Sequence, residues 1–210
     1  TCFFMRLVIL SGGVGAGKSA AMLLLKQKIT QGVMWFSADQ CIKQSYTDPN
    51  QRQALIDAFS DQMEPDVRKL AGTDESGDYL KAWLRENVLP VHGQRKRLEA
   101  MLHPYVLRAI EQARQKGEGN LLVAEVPLHY EIGEVISADL VIVVAASRSV
   151  QVRRMMENRG LDEATAQAFL NAQWPIEAKV EKADVVIWND GDSSALECQT
   201  LLLANLLNLE

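Results

Sequence analysis

The sequence is poor in the features that mark secreted, metal-bound or membrane proteins. Its three cysteines, Cys2, Cys41 and Cys198, are odd in number and far apart, with no Cys-x-x-Cys and no Cys/His ligand spacing. A reducing compartment is therefore expected. No apolar run approaches the roughly 18 residues that cross a bilayer, and a glycine-rich loop stands where a leader's cleavage site would follow the apolar start. These absences predict a soluble, cytoplasmic protein with no membrane partner. There is no low-complexity tract and no internal repeat. Basic residues are grouped only at Arg95, Lys96 and Arg97 and at Arg153 and Arg154, within a net charge of −5, which argues against a nucleic-acid surface. Trp35, Trp83, Trp174 and Trp188 form no stripe, so packing rather than base stacking is their expected role. Thr1 to Phe4 precede Met5 and are assigned no function.

What is present reads as one well-buried unit. At 210 residues, 48% hydrophobic and 23% charged, the chain suits a single core with a small inserted subdomain. Leu7 to Leu10 is a continuous apolar run bounded by glycine, as in a parallel strand covered on both faces. A helical pattern runs from Lys18 to about Ile29, and Val33 to Phe36 reads as a second buried strand. Helical stretches follow at 38–45 and 51–59, separated by the turn chemistry of Thr47-Asp48-Pro49-Asn50. A loop at 72–78 leads to a helix from Tyr79 and a longer one over 94–116. Strand patterns return at 121–126, 140–144 and 185–188, and a helix over 194–207 closes the chain. Alternating strands and helices need crossover connections, so the sheet should be mostly parallel with helices on both faces and ligands at the strands' carboxyl ends. The strandless stretch 49–116 reads as a helical insertion.

Gly12-x-x-x-x-Gly17-Lys18-Ser19 follows the first strand and opens the first helix, the context that a phosphate-binding P-loop requires. Glycines let successive backbone N–H groups converge on phosphate oxygens, and the unpaired N–H groups at a helix start favour an anion. Gly13, Gly15, Ala16, Gly17, Lys18, Ser19 and Ala20 are thus the candidate ATP-binding residues, with Lys18 at the β- and γ-phosphates and the Ser19 hydroxyl on Mg²⁺. A tight turn with a surface lysine is the competing reading. A dinucleotide fingerprint is excluded because Lys18 occupies the third glycine's place. The expected fold is an α/β, P-loop NTPase three-layer α/β/α sandwich.

Several separated segments resemble the dephospho-CoA kinase family, and together they cover nearly the whole chain. Ser37-Ala38-Asp39 is similar to the family's Asp-Ala-Asp, and Leu98-Glu99 to His103-Pro104 resembles its Leu-Glu…His-Pro segment. Val126-Pro127-Leu128-His129-Tyr130-Glu131 resembles its Val-Pro-Leu-Leu-Phe-Glu. Gln151-x-x-Arg154, Gln173-x-Pro175-x-Glu177-x-Lys179 and Ala183-Asp184-x-x-Ile187-x-Asn189-x-Gly191 resemble its lid and last strand. The resemblance implies a helical CoA subdomain, a short helical lid at about 148–182, and phosphorylation of the ribose 3′-hydroxyl of dephospho-CoA by MgATP. No obligatory protein partner is inferred.

It also implies roles for single residues, each with a rival. Asp39 would orient or deprotonate the attacking hydroxyl, or else cap the following helix. Arg154 and Arg159 would neutralise the transferring phosphoryl group, or else pair with Glu157 or Asp162 on a solvated face. Asn158-Arg159 reverses the family's usual Arg-Asn, and one residue turns a helical side chain by about 100°. That leaves Arg153, Arg154 and Arg159 as rivals for the lid arginine. Arg85, His103 and Pro127 fall on the substrate side by resemblance; a surface arginine and a histidine before a helix-breaking proline are the plainer readings of the first two. Glu125 could support Mg²⁺ as Walker B acids do, Glu131 is the second candidate, and for both helix capping or pairing with local Arg and Lys residues is the rival reading. Asn189 and Gly191 match an adenine-side turn, or simply a turn. Other functions consistent with the loop are a different small-molecule or nucleotide kinase, a regulatory ATPase, or a nucleotide binder without turnover. No Asn-Lys-x-Asp guanine-reading pattern is present.

Overall fold

A computed structural model describes residues 5–116, 119–131 and 136–208. Thr1 to Phe4, and with them Cys2, lie outside the described residues. The chain divides into two compact units, Ala38–Glu111 and the remainder, Thr1–Ser37 with Gln112–Glu210.

The larger unit is built on a parallel sheet. Strand β1 (Arg6–Gly12) leads through the glycine loop to α1 (Lys18–Lys28), and β2 (Val33–Ser37) follows. The chain returns to this unit along β3 (Leu121–Glu125) and β4 (Leu140–Ala145) and ends on β5 (Val185–Trp188). The strand order is β2-β3-β1-β4-β5, with every pairing parallel. β1 is central because Leu7 to Leu10 is apolar at every position and nearly inaccessible, as a strand covered on both faces must be. On one face Val8, Leu10, Val123, Ile142, Val144 and Ile187 pack with Met22 and Leu25 of α1 and with Leu196, Leu203 and Leu207 of the last helix. On the other, Val143 and Ala145 meet Ile176 and Val180. The two-residue alternation of strand side chains makes these layers.

Three further helices lie between β4 and β5, and one closes the chain. In continuity with the helices of the smaller unit described next, they are α7 (Arg148–Arg159), α8 (Glu163–Asn171), α9 (Ile176–Glu181) and α10 (Ser193–Asn208). Gly160, at a φ of +64°, ends α7 in the left-handed cap that glycine accepts without a Cβ penalty. Asp162 caps α8 by accepting the Thr165 N–H at 2.8 Å and its hydroxyl at 3.0 Å. Val152 and Met155 of α7 pack on Ala166 and Leu170 of α8.

The smaller unit is all helical, with α2 (Ala38–Ser45), α3 (Pro49–Ala58), α4 (Pro65–Thr73), α5 (Asp78–Asn87) and most of α6 (His92–Lys116). Leu55, Ile56, Phe59, Leu80, Leu84 and Leu98 form its core. Burying each such side chain contributes about 1.5–3 kcal/mol, which gives the unit a centre of its own. The turn expected at Thr47-Asp48-Pro49-Asn50 is the start of α3, where Asp48 accepts the Gln51 N–H at 2.8 Å and Pro49 takes the first helical position. The long helix expected over 94–116 is α6, and the rival reading of Pro104 as a helix breaker does not hold. α6 runs through Pro104, carrying a buried seam of Leu98, Leu102, Val106 and Ile110 on both sides of it.

Candidate functional site

All carboxyl ends of a parallel sheet point one way, so the segments leaving those ends are where ligands are held. The loop after β1 reaches α1 through Gly17, whose φ of +98° only glycine adopts comfortably and which caps the helix without any side-chain hydrogen bond. No acidic residue lies in the first turn of α1. The N–H groups of a helix start and the positive end of its dipole favour an anion. Lys18 Nζ bends back over the loop, donating to the Gly12 carbonyl at 3.1 Å and the Gly13 carbonyl at 2.8 Å. The Ala16 N–H closes the turn on the Gly13 carbonyl at 3.3 Å, past Gly15, and Ser19 and Ala20 are exposed in the first turn of the helix.

Arg154 comes to the same place from α7. Its Nη1 lies 3.9 Å from the point a β-carbon on Gly17 would occupy, is buried, and has no hydrogen-bond partner among the described residues. Arg153, one residue earlier, is exposed and faces Glu157 at 4.0 Å, an ion pair of little weight in water. Arg159 is exposed at the far end of α7, about 7.5 Å further along the helix axis at the α-helical rise. Of the three arginines, the fold brings Arg154 to the loop. Asp162, the suggested partner of Arg159, is engaged in capping α8, and those hydrogen bonds hold its carboxyl below the ordinary range.

Asn189, just past β5, is buried. Its amide nitrogen donates to the Ala16 carbonyl at 2.8 Å and would stand 2.2 Å from a β-carbon on Gly17. Its neighbour Asp190 accepts the Ser147 N–H at 2.7 Å, which ties the end of β5 to the start of α7. The side chain of Asn189 thus braces the loop, a role its turn-like sequence context did not disclose. Gly191 would bring a β-carbon within 3.2 Å of the Ala195 side chain.

Glu125 ends β3, in register with Leu10 on one side and Ser37 on the other, and is half-buried. Pro127 follows in a turn whose carbonyl accepts the Ser11 hydroxyl at 3.3 Å. Glu131 is engaged elsewhere: Lys179 Nζ, fully buried on α9, lies 2.7 Å from Glu131 Oε1, and the same oxygen accepts the Trp174 N–H at 2.9 Å. This commits Glu131 to an internal ion pair. Beside it Tyr130 stacks on Trp174 at 5.9 Å between ring centroids.

The remaining predicted residues lie in the helical unit. Asp39 is in the first turn of α2 and exposed, two residues past the carboxyl end of β2; it lies inside the helix rather than capping it. Arg85 is exposed in the last turn of α5, and His103 is half-buried on α6.

A sequence model of the dephospho-CoA kinase family matches residues 6–195. The chain belongs to the dephospho-CoA kinase family. Among curated relatives, the dephospho-CoA kinase of Anaeromyxobacter dehalogenans is 34% identical, over 91% of this chain and 87% of that one. The enzyme of Methylococcus capsulatus is 31% identical, over 93% of each chain. A Thermus thermophilus protein of known structure is 27% identical with a TM-score of 0.74, covering 98% of both chains. The dephospho-CoA kinase of Campylobacter jejuni, at 21% identity and a TM-score of 0.59 over 97% of this chain and 98% of that one, shares the fold. Within this fold the glycine loop, Lys18 and the Arg154 guanidinium lie together at the start of α1.

Proposed function

We propose that this kinase carries out its ATP-dependent phosphorylation of dephospho-CoA, the last step of coenzyme A synthesis, on the ribose 3′-hydroxyl, with Lys18 and Arg154 on the phosphates and Asp39 on the acceptor. The observation that carries the reading is the pairing of a helix start that has neither a side-chain cap nor an acid with the Nη1 of Arg154, buried beside Gly17 without a hydrogen bond among the described residues. Charge accumulates on the equatorial and leaving oxygens during phosphoryl transfer, so fixed cations and N–H groups at those oxygens lower the barrier without moving. Asp39, following β2, accepts the hydroxyl proton as that oxygen attacks in line with the departing ADP.

Mg²⁺ would be held by the Ser19 hydroxyl with support from Glu125, and would supply charge neutralisation to the transferring phosphates. Among the described residues no group of three or more His, Cys, Asp or Glu is arranged to hold a metal. The helical unit is read as the body that receives dephospho-CoA, with Arg85 and His103 on it and Pro127 at the edge of β3, and 148–182 as the lid. A cytoplasmic location is supported by the free thiols of Cys41 and Cys198; among the described residues no helix is long and apolar enough to cross a membrane.

The test compares Lys18→Ala and Asp39→Asn. Lys18→Ala should lose turnover and weaken ATP binding, while Asp39→Asn should lower kcat about 10²- to 10⁴-fold with ATP affinity near wild type. Wild-type turnover in Asp39→Asn would remove the proposed base.

A further inference from the structure

The tip of the phosphate loop is held from outside by two amide side chains. The Val14 N–H donates to Gln173 Oε1 at 3.1 Å, and the Val14 carbonyl accepts from Gln151 Nε2 at 3.0 Å. Both polar groups of one backbone residue are thus satisfied by side chains distant in sequence. The Val14 side chain joins them, packing against the cluster of Val152, Met155, Ala166 and Leu170. Gln151 is itself buried, and its approach explains a glycine. A β-carbon on Gly13 would fall 2.1 Å from Gln151 Nε2.

Gln151 lies on α7 three residues before Arg154, one turn away on the same face. Docking Gln151 on Val14 therefore sets how far along the loop the Arg154 guanidinium reaches. Gln173 precedes Trp174, whose N–H is held by Glu131, so the second amide is anchored through the buried Glu131–Lys179 pair.

We propose that Gln151 and Gln173 are positioning residues that lock the tip of the phosphate loop to the segment after β4, presetting the loop's anion-binding shape and the place of Arg154 above it. Neither amide touches the reacting atoms in this account. They act through Val14 and Arg154, and the inference rests on the reading of the loop as the ATP site. Reactive geometry fixed in advance is worth orders of magnitude in rate, and loss of one buried hydrogen bond with its stranded partner corresponds to roughly a tenfold effect.

The two amides work in opposite senses, which gives a test that side-chain volume alone would not reproduce. Gln173 uses only an acceptor, so Gln173→Glu should keep kcat/KM for ATP within about threefold of wild type while Gln173→Met loses roughly tenfold. Gln151 uses only a donor. Gln151→Met and Gln151→Glu should both lose roughly tenfold at pH 8, and Gln151→Glu should recover, relative to wild type at the same pH, on acidification toward pH 6 as its buried carboxyl takes up a proton and becomes a donor. Methionine at either position with kcat/KM within twofold of wild type would overturn the proposal, as would a Gln173→Glu no better than Gln173→Met. A Gln151→Glu that does not recover would overturn it as well.

Residue-level amide exchange in the wild-type protein reads the same contact without any variant. The Val14 N–H should be protected before nucleotide is added; free exchange until ATP is present would contradict a preset loop. Exchange, and calorimetric binding of ATP, need no acceptor. Failure of the wild type to phosphorylate dephospho-CoA would therefore count against the function and leave this inference to be judged by its own readouts.

Discussion

Arg154 Nη1 stands 3.9 Å from the position of a β-carbon on Gly17, buried and without a hydrogen-bond partner among the described residues, at the positive end of α1. A guanidinium there opposes the helix dipole, which the Asp190 carboxylate offsets only in part, and a buried donor left unpaired is costly. Both costs are relieved by an anion. ATP should therefore stabilise the protein by about 2.7 kcal/mol at a hundred times its Kd, raising Tm by several degrees. In Arg154→Met the nucleotide-free protein should be no less stable than wild type while kcat falls about 10²- to 10³-fold, the usual loss for one preorganised donor. Thermal melts with and without ATP, beside steady-state rates, check both. An Arg154→Met that keeps its rate would show that this contact is incidental.

The Glu131–Lys179 pair makes a separate prediction about stability. Lys179 is fully buried and Glu131 partly so, so removing the carboxylate strands the ammonium in a poor dielectric. Glu131→Gln should cost about 3–5 kcal/mol in denaturant unfolding, and the double substitution Glu131→Gln, Lys179→Met should regain much of it. A double variant as unstable as the single one would show that packing, not charge, accounts for the loss.

His129 predicts a pH dependence. Burial holds its pKa below the ordinary value, against the pull of Glu131 and with the help of Lys179. The unfolded chain then binds a proton that the folded chain resists, from about pH 6.5 downward. Stability from this group is complete above that pH and is lost as pH falls toward the folded pKa. Between pH 7.5 and 5.5 the wild type should lose more unfolding free energy than His129→Asn, and parallel curves would exclude the effect.

The thiols should differ in reactivity. Burial pushes the Cys41 pKa to about 11, whereas Cys198 is exposed on α10. Since the thiolate is the reacting form, alkylation at pH 8 followed by peptide mapping should label Cys198 well before Cys41. Equal labelling of the native protein would contradict the burial of Cys41.

The phosphate loop, its strand and its helix were legible because each is a local pattern: an apolar run, a glycine spacing, then a helical period. The parallel sheet followed from the alternation of such patterns. Less visible were contacts made by ordinary residues at long range. Nothing local marks Gln151, Gln173 or Asn189 as braces of the loop, although all three fell in segments already singled out for resemblance. α4 escaped notice because Ala71 is the only residue on it that is buried, so its apolar period is faint. The helix through Pro104 was legible for a physical reason: the hydrogen bond that proline removes is outweighed by the four-residue spacing of Leu98, Leu102, Val106 and Ile110, which continues across it. The choice among Arg153, Arg154 and Arg159 needed the docking of α7, since which helix face meets the loop is a tertiary fact.

The most direct test of the whole account is acceptor-dependent phosphoryl transfer by the purified protein. With MgATP, adding dephospho-CoA should start ADP formation matched one to one by coenzyme A carrying the new phosphate on the ribose 3′-oxygen. Nucleosides, nucleotides and water should not substitute for dephospho-CoA, and Lys18→Ala should abolish the reaction. ATP consumption that ignores dephospho-CoA, or a product phosphorylated elsewhere, would contradict the account.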